Sequence, residues 1–405
     1  MAEDSFSHLL SLYMRRIRAS ASGVATEIGL SREAVNNWRN GVSLPNARSR
    51  DRLAACAAYL RLTEAETNRL FFAAGFAAEF PLQAEPQAGV PFAGFMDRLL
   101  AQLAQAAPYP ITMLLSQAHW GQPPFRQELL LRARAHYGAD AVLHIQPPYS
   151  TSTAPEEYFA ALGRQCGLGD IDSDCAFESR LEQRLLAGGR LFCLVSRFEQ
   201  GTAALRESLA GILRSLSEMH SSRLHLLLCG GEALADLKYR SGDLSLLNIA
   251  QVHYWPEPTL DDVALMAHQR WPGVDWPRPT LQALLEASGG HPALIDDGLQ
   301  WLCAQGPVQA HTARAPLHAH LAASPRLWQT LLALARQPGL PPRLAQLLQA
   351  PTLGRARPYL QDDVLRTLFW GNLIHARPAE GGAQLHWRCD TVRAAARAVL
   401  ESCAA

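Results

Sequence analysis

Apolar positions recur at three- and four-residue spacing from residue 6 to residue 76, the period of helices with one buried face, and the stretch closes on Phe71-Phe72-Ala73-Ala74-Gly75-Phe76. A passage rich in Pro, Gly and Gln follows, from Pro81 to Pro91, which breaks helix and strand alike and reads as a linker. After a helix expected at 93–106 the pattern changes to short apolar runs: Ile111–Leu115, Ala141–Ile145, Leu191–Val195, Leu224–Leu228 and Ile249–Tyr254. Such runs, alternating with amphipathic helices of about ten or more residues, predict a parallel α/β sheet. From Thr259 to Gln305 the period is helical again. Helices are then expected at 325–337, 341–349 and 358–370, followed by a hairpin built from Asn372–Arg377 and Ala383–Arg388 and by a closing helix.

Length and composition add bounds. A chain of 405 residues implies several domains, and a hydrophobic share of 48% with a charged share of 18% is that of a globular protein. No long apolar run or signal-peptide pattern is present, so a soluble, cytoplasmic protein without membrane contact is expected. The eight cysteines are scattered without a C-x-x-C pair and read as reduced core thiols. His311, His318 and His320 form a loose group that reads as ordinary histidines, so no metal is expected. The formal net charge is zero, so any attraction to nucleic acid must come from a local basic surface. Lys238 is the only lysine; every other fixed cation is arginine.

The stretch from Ser20 to Gly41 carries a specific pattern. Val24, Ala25 and Ile28 would face inward from one short helix, Gly29 permits a tight turn, and Ser31 can cap a second helix packed down by Val35 and Trp38. The opposite face presents Arg32, Glu33, Asn36, Asn37 and Arg39, residue types that read base edges or hold phosphates. Ala25, Ile28, Gly29, Leu30, Ser31, Val35, Trp38 and Gly41 resemble the core of the Cro and lambda-repressor (XRE) type of helix-turn-helix, a resemblance that covers the first five-helix module. It implies binding to double-stranded DNA through Ser31 to Arg39. Arg15, Arg16 and Arg18, with Arg48, Arg50 and Arg52, would supply charge for phosphates. Ala21 stands where the family commonly places a phosphate-contacting Gln.

Farther on, the run Ile111–Leu115 precedes a loop and an amphipathic helix in the order and length of a P-loop, with Gly121 where the second glycine of G-x-x-x-x-G-K-[ST] belongs. The first glycine is Ser116, the lysine is Gln122 and the magnesium-binding hydroxyl is Pro123. Ser196 and Arg197 follow the run Leu191–Val195, where a Walker B strand would carry carboxylates, and Glu199 reads as a surface residue. The segment Leu226–Leu234 resembles a sensor strand, and Ala287-Ser288-Gly289-Gly290-His291-Pro292 resembles a lid motif, of AAA+ and STAND ATPases. With the C-terminal module, which describes a winged helix, residues 108–400 resemble a degenerate STAND or AAA+ unit.

The expectation is therefore a multidomain chain: an all-α helix-turn-helix domain at 1–78, a linker and connecting helix at 79–107, an α/β P-loop-like parallel sheet at 108–257, a helical lid at 258–308 and a winged helix at 309–405. It would be a DNA-binding regulator, with the ATPase-like body serving oligomerisation or a protein partner. Loss of the phosphate lysine, magnesium hydroxyl and Walker B acids implies no enzyme and no cofactor, beyond nucleotide retained without hydrolysis in a degenerate pocket of Ser116, Gly121, Gln122, Pro123, Ser196, Arg197, His291 and Pro292. The alternatives are a DNA-dependent ATPase resembling AAA+ transposition helpers, and a STAND-type sensor in defence or signalling. In the C-terminal module, Arg377 and Arg388 would flank the wing, and docking on the body is favoured over DNA contact because Asp362, Asp363, Leu365 and Phe369 lie on the helix that would enter a groove.

Overall fold

The structure, a computed structural model, describes residues 5–80, 89–120, 123–149, 154–305 and 314–404. Five helices come first: α1 (Phe6–Arg16), α2 (Ala21–Ile28), α3 (Arg32–Arg39), α4 (Arg50–Tyr59) and α5 (Glu64–Ala73). They close on a core of their own in which Val24, Val35, Leu53, Leu70 and Phe71 are fully buried and Trp38 meets Phe6 edge to face. The turn between α2 and α3 needs its glycine: Gly29 ends α2 at φ 64°, in the left-handed region, and Ser31 accepts from the Ala34 N–H to start α3.

Helix α6 (Ala93–Gln105) leads into the body, where β1 (Ile111–Leu115), α7 (Pro123–Tyr137), β2 (Val142–Ile145), α8 (Pro155–Gln165), α9 (Asp174–Gly188), β3 (Leu191–Ser196), α10 (Ala203–Met219), β4 (Leu224–Gly230), α11 (Glu232–Asp236), α12 (Ser245–Asn248) and β5 (Gln251–Tyr254) alternate. The strands form one parallel sheet in the order β2-β3-β4-β1-β5. Successive side chains point to opposite faces, so the continuous apolar runs fill two cores. Leu114, Phe192, Leu194 and Leu227 pack on α6 and α7, whereas Met113, Leu115, Cys193, Val195, Leu226 and Leu228 pack on α8, α9 and α10.

The remaining helices are α13 (Leu260–Arg270), α14 (Arg278–Ser288), α15 (Pro292–Gln305), α16 (Arg314–Ala322), α17 (Pro325–Ala335), α18 (Leu340–Gln349) and α19 (Asp363–Trp370), followed by the antiparallel pair β6 (Ile374–Arg377) and β7 (Gln384–Trp387) and by α20 (Asp390–Ala404). One core, with Leu284, Leu294, Leu321, Leu331, Leu368 and Val399 inside it, runs through all of these segments. Among the described residues no helix is long and apolar enough to cross a membrane, and no cluster of His, Cys, Asp or Glu could hold a metal ion. His318 bonds Thr391 and His320 stacks on Trp301, while His311 lies outside the described residues.

Gly29→Ala tests the turn. An added Cβ would meet no atom within 4 Å, so its effect is conformational alone. It should cost about 1 kcal/mol, read by denaturant titration of the N-terminal core, with secondary structure unchanged.

Candidate functional site

Open parallel sheets bind ligands beyond the carboxyl ends of their strands, where the connections diverge. Here the connection from β1 runs toward β2 and that from β4 crosses to β5, so the crevice opens over β1 and β4. The register aligns Leu115 with Gly230 and Tyr254, and Ser196 with Cys229, which brings the loops after β1, β3, β4 and β5 to one edge. They enclose a cavity of about 220 Å³ lined by Ser116, His119, Trp120, Arg126, Ser196, Arg197, Glu199, Gly231 and Trp255, among others.

The loop after β1 is committed to protein partners. Ser116 N–H donates to Gly230 O at 2.8 Å, Ala118 N–H to Trp370 O at 2.8 Å and Trp120 N–H to Gln117 O at 3.1 Å. The Gln117 amide donates to Phe369 O and Ile374 O, and Asn372 donates to Ala118 O at 3.0 Å. The loop is thus sewn to the end of α19 and the start of β6. Arg388 completes the seam: its side chain is fully buried, and it donates to Asn372 O at 2.9 Å, Gly289 O at 3.0 Å, Gln117 Oε1 at 3.2 Å and both oxygens of Glu257. Gly289 must be glycine here, since an added Cβ would stand 2.6 Å from Arg388 O.

The expected pocket residues are brought together only in part. Ser116, Ser196 and Arg197 line the cavity, and Gly121 and Gln122 lie outside the described residues, as does the Pro123 side chain. His291 packs against His119 at 5.2 Å between ring centroids but does not line the cavity, and Pro292 begins α15. Ser196 hydroxyl is engaged by His144 Nε2 at 2.8 Å. Glu199, expected on the surface, instead lines the cavity, with Oε2 buried and unpartnered among the described residues.

Sequence reasoning missed what Arg197 does. In the left-handed conformation, at φ 59°, it turns out of β3 and donates to Leu62 O at 3.2 Å and Arg61 O at 3.1 Å, at the corner between α4 and α5. Arg126 pairs with Glu64 at 3.0 Å, with both side chains mostly buried. Glu64 N–H, one of the orphan donors at the start of α5, donates to Gln146 Oε1 at 3.2 Å, and Arg61 lies over the Tyr149 ring at 4.4 Å. The five-helix module is therefore bolted to the edge of the sheet. No motif carried this signal; only the arginine standing where an acid was due marked the position.

On the module's other side, Arg32, Glu33 and Arg39 are exposed, Asn36 and Asn37 are half-buried beside them, and Ser31 is spent as the cap of α3. Arg15 and Arg18 are exposed too, but they line a cleft that the module shares with Glu156, Glu157 and Asp172 of the body. Two other arginines need correction. Arg16, expected to meet phosphate, forms a two-pronged ion pair with Glu66 that joins α1 to α5, and Arg50 pairs with Glu79 while covering the Phe71 ring. Arg388 likewise does not flank an exposed wing, because it is interior.

The body has a mixed α/β fold around its five-stranded parallel sheet. Solved chains similar to it include a Walker-type ATPase of Pyrococcus abyssi at 15% identity, covering 78% of this chain and 99% of that one with a TM-score of 0.45. The Aeropyrum pernix ORC2 protein aligns at 15% identity over 80% of this chain and 97% of that one with a TM-score of 0.43. A Thermotoga maritima RuvB mutant aligns at 12% identity over 73% and 92% with a TM-score of 0.38. No family model matches the chain, and no curated relative does. The expectation that the chain is not an enzyme is not upheld: the cavity keeps a carboxylate, Glu199, and two guanidiniums, Arg126 and Arg197. Substitution of one loop's side chains does not remove those groups.

Two consequences are measurable. Removing the buried guanidinium in Arg388→Met leaves several buried acceptors unpaired and should destabilise the body by about 3 kcal/mol in denaturant titration. His291, 1% exposed, is held well below the usual histidine range by burial and then by Arg388 and His119. The unfolded chain takes up protons below about pH 6.5 that this folded imidazole refuses, so its contribution is complete above that pH and falls away as pH drops. His291→Asn keeps an acceptor for the Leu294 N–H and should flatten that decline, measured by denaturation between about pH 7.5 and about pH 5.

Proposed function

We propose that this chain is a DNA-binding regulator in which α3 enters the major groove of duplex DNA, as the recognition helix of a helix-turn-helix. The observation that carries the reading is the outer face of α3. Arg32, Asn36, Asn37 and Arg39 share a helix fixed from below by Val35 and Trp38, and no side-chain hydrogen bond or ion pair to the protein occupies them among the described residues. Four polar side chains with ten or more donor and acceptor positions on a rigid, capped helix suit base edges, and Glu33 suits a cytosine amino group. Arg15 and Arg18 supply phosphate contacts, and Ser31 serves through the cap rather than through direct contact.

The ATPase-like body supplies self-association or a protein partner, since one such module reads a half-site and a second copy is needed for two. The C-terminal module, a winged helix in its order of elements, serves docking. Its helix α19 is tied down by Arg366 to Glu232 at 3.3 Å, and its hairpin meets the loop after β1.

Fluorescence anisotropy with labelled duplexes at low salt should show binding that weakens steeply as salt is raised. Arg32→Ala and Asn36→Ala should each weaken it about tenfold, while Arg15→Ala should lower the salt slope by about one. Absence of binding to any duplex, or full binding by both α3 variants, would remove the reading.

A further inference from the structure

Beside the seat of the five-helix module lies a second recess, a cleft of about 760 Å³ between the end of α1 and the body around the start of α8. Its walls carry opposite charge. Arg15 and Arg18 stand on the module's side and Glu156, Glu157 and Asp172 on the body's, all five exposed. Arg16, which also lines the cleft, is paired with Glu66 inside the module. No ion pair joins the two walls among the described residues, so the charges face one another across the gap. The spacing is set from outside the cleft, by Arg197 on the carbonyls of Arg61 and Leu62 and by the Glu64 N–H on Gln146. Leu12 and Ile171 line it as well, and a field across a recess with apolar surface is screened less than one on open surface.

Arg15 and Arg18 are the cations assigned to phosphates in the reading of α3 as a recognition helix, on which this inference rests. A duplex on α3 would bring its backbone to those two guanidiniums, and so into the field of the three carboxylates that share their cleft. Like charges repel within a Debye length, about 8 Å at physiological ionic strength, and the carboxylates also give the arginines an internal counter-charge that phosphate must replace. We propose that this acidic wall restrains DNA binding by the seated module: Glu156, Glu157 and Asp172 set the affinity and the salt dependence of the duplex complex, although they belong to the body. The restraint is built into the chain and calls for no small ligand. The contacts at residues 61–64 thereby have a second effect, since they hold the acidic wall beside the arginines.

Anisotropy of a labelled duplex with the full chain tests it on three proteins. They are the unmodified chain, the cleft variant Glu156→Gln/Glu157→Gln/Asp172→Asn, and the control Glu207→Gln/Asp243→Asn/Glu401→Gln, which removes three exposed carboxylates outside the cleft and changes the net charge equally. At about 50 mM salt the cleft variant should bind about tenfold more tightly than the unmodified chain, and the gain should shrink to about threefold or less at about 200 mM as the repulsion is screened. The control should gain no more than about twofold. Equal affinity of the cleft variant and the unmodified chain, an equal gain in the control, or a gain that does not fall with salt would overturn the restraint and leave DNA binding itself in place. Absence of binding by all three proteins would remove the recognition-helix reading and this inference with it. Circular dichroism checks folding, and Glu156→Gln/Glu157→Gln, which should keep most of the gain, decides if the triple variant is misfolded.

Discussion

A guanidinium carries five N–H donors in a rigid fork and stays charged, so wherever it is taken out of water it must be surrounded by acceptors. Three arginines at the sheet edge meet that demand with groups from other parts of the chain, and the assembly of the molecule follows from their choices. Arg388 gathers Glu257 from beyond β5, Gly289 from the turn before α15, Asn372 from the start of the hairpin and Gln117 from the loop after β1. Arg197 and Arg126 reach the other way, to the α4–α5 corner. In a chain with one lysine these bolts are all guanidiniums, and the lysine serves locally: Lys238 donates to the carbonyls of Leu247, Asn248 and Ala250 around the end of α12.

The consequence is a crevice whose backbone donors and arginines are turned to other parts of the chain. A loop whose backbone donors are paired to Gly230, Trp370 and Gln117 has no N–H left at those positions for an anion. The segment after β3 offers a module-binding arginine in place of a carboxylate, and the nearest carboxylate, Glu199, sits two residues later inside the cavity. The seam between the sheet and the C-terminal elements and the dock for the N-terminal elements share this one edge, which leaves the outer face of α3 clear.

Much of this was legible in the residues. The runs Ile111–Leu115 and Leu191–Val195 appear as strands because β-branched and large apolar residues buried on both faces of a parallel sheet leave an unbroken apolar signature. The turn at Gly29 and the cap at Ser31 rest on local chemistry, which sequence shows directly. The helix expected at 358–370 begins only at Asp363, because Asp362 takes the cap position and the residues before it run beside the hairpin, where Ala356 N–H donates to Ala383 O. What could not be read was pairing across distance. Arg16 and Arg388 looked like surface cations, and nothing in their neighbours announced Glu66 fifty residues away or Glu257 one hundred and thirty-one residues away. Arginine is mostly exposed in folded proteins yet well suited to burial with partners, so its role depends on tertiary context.

The seating of the five-helix module on the sheet depends on the contact between Arg197 and the carbonyls of Arg61 and Leu62. Hydrogen exchange at residues 61–66, compared between the unmodified full chain and Arg197→Ala, measures it most directly, because loss of the bolt exposes that corner to solvent. The docked arrangement predicts at least about tenfold faster uptake there in the variant, with the five-helix core unchanged. Identical uptake in the two proteins would contradict it.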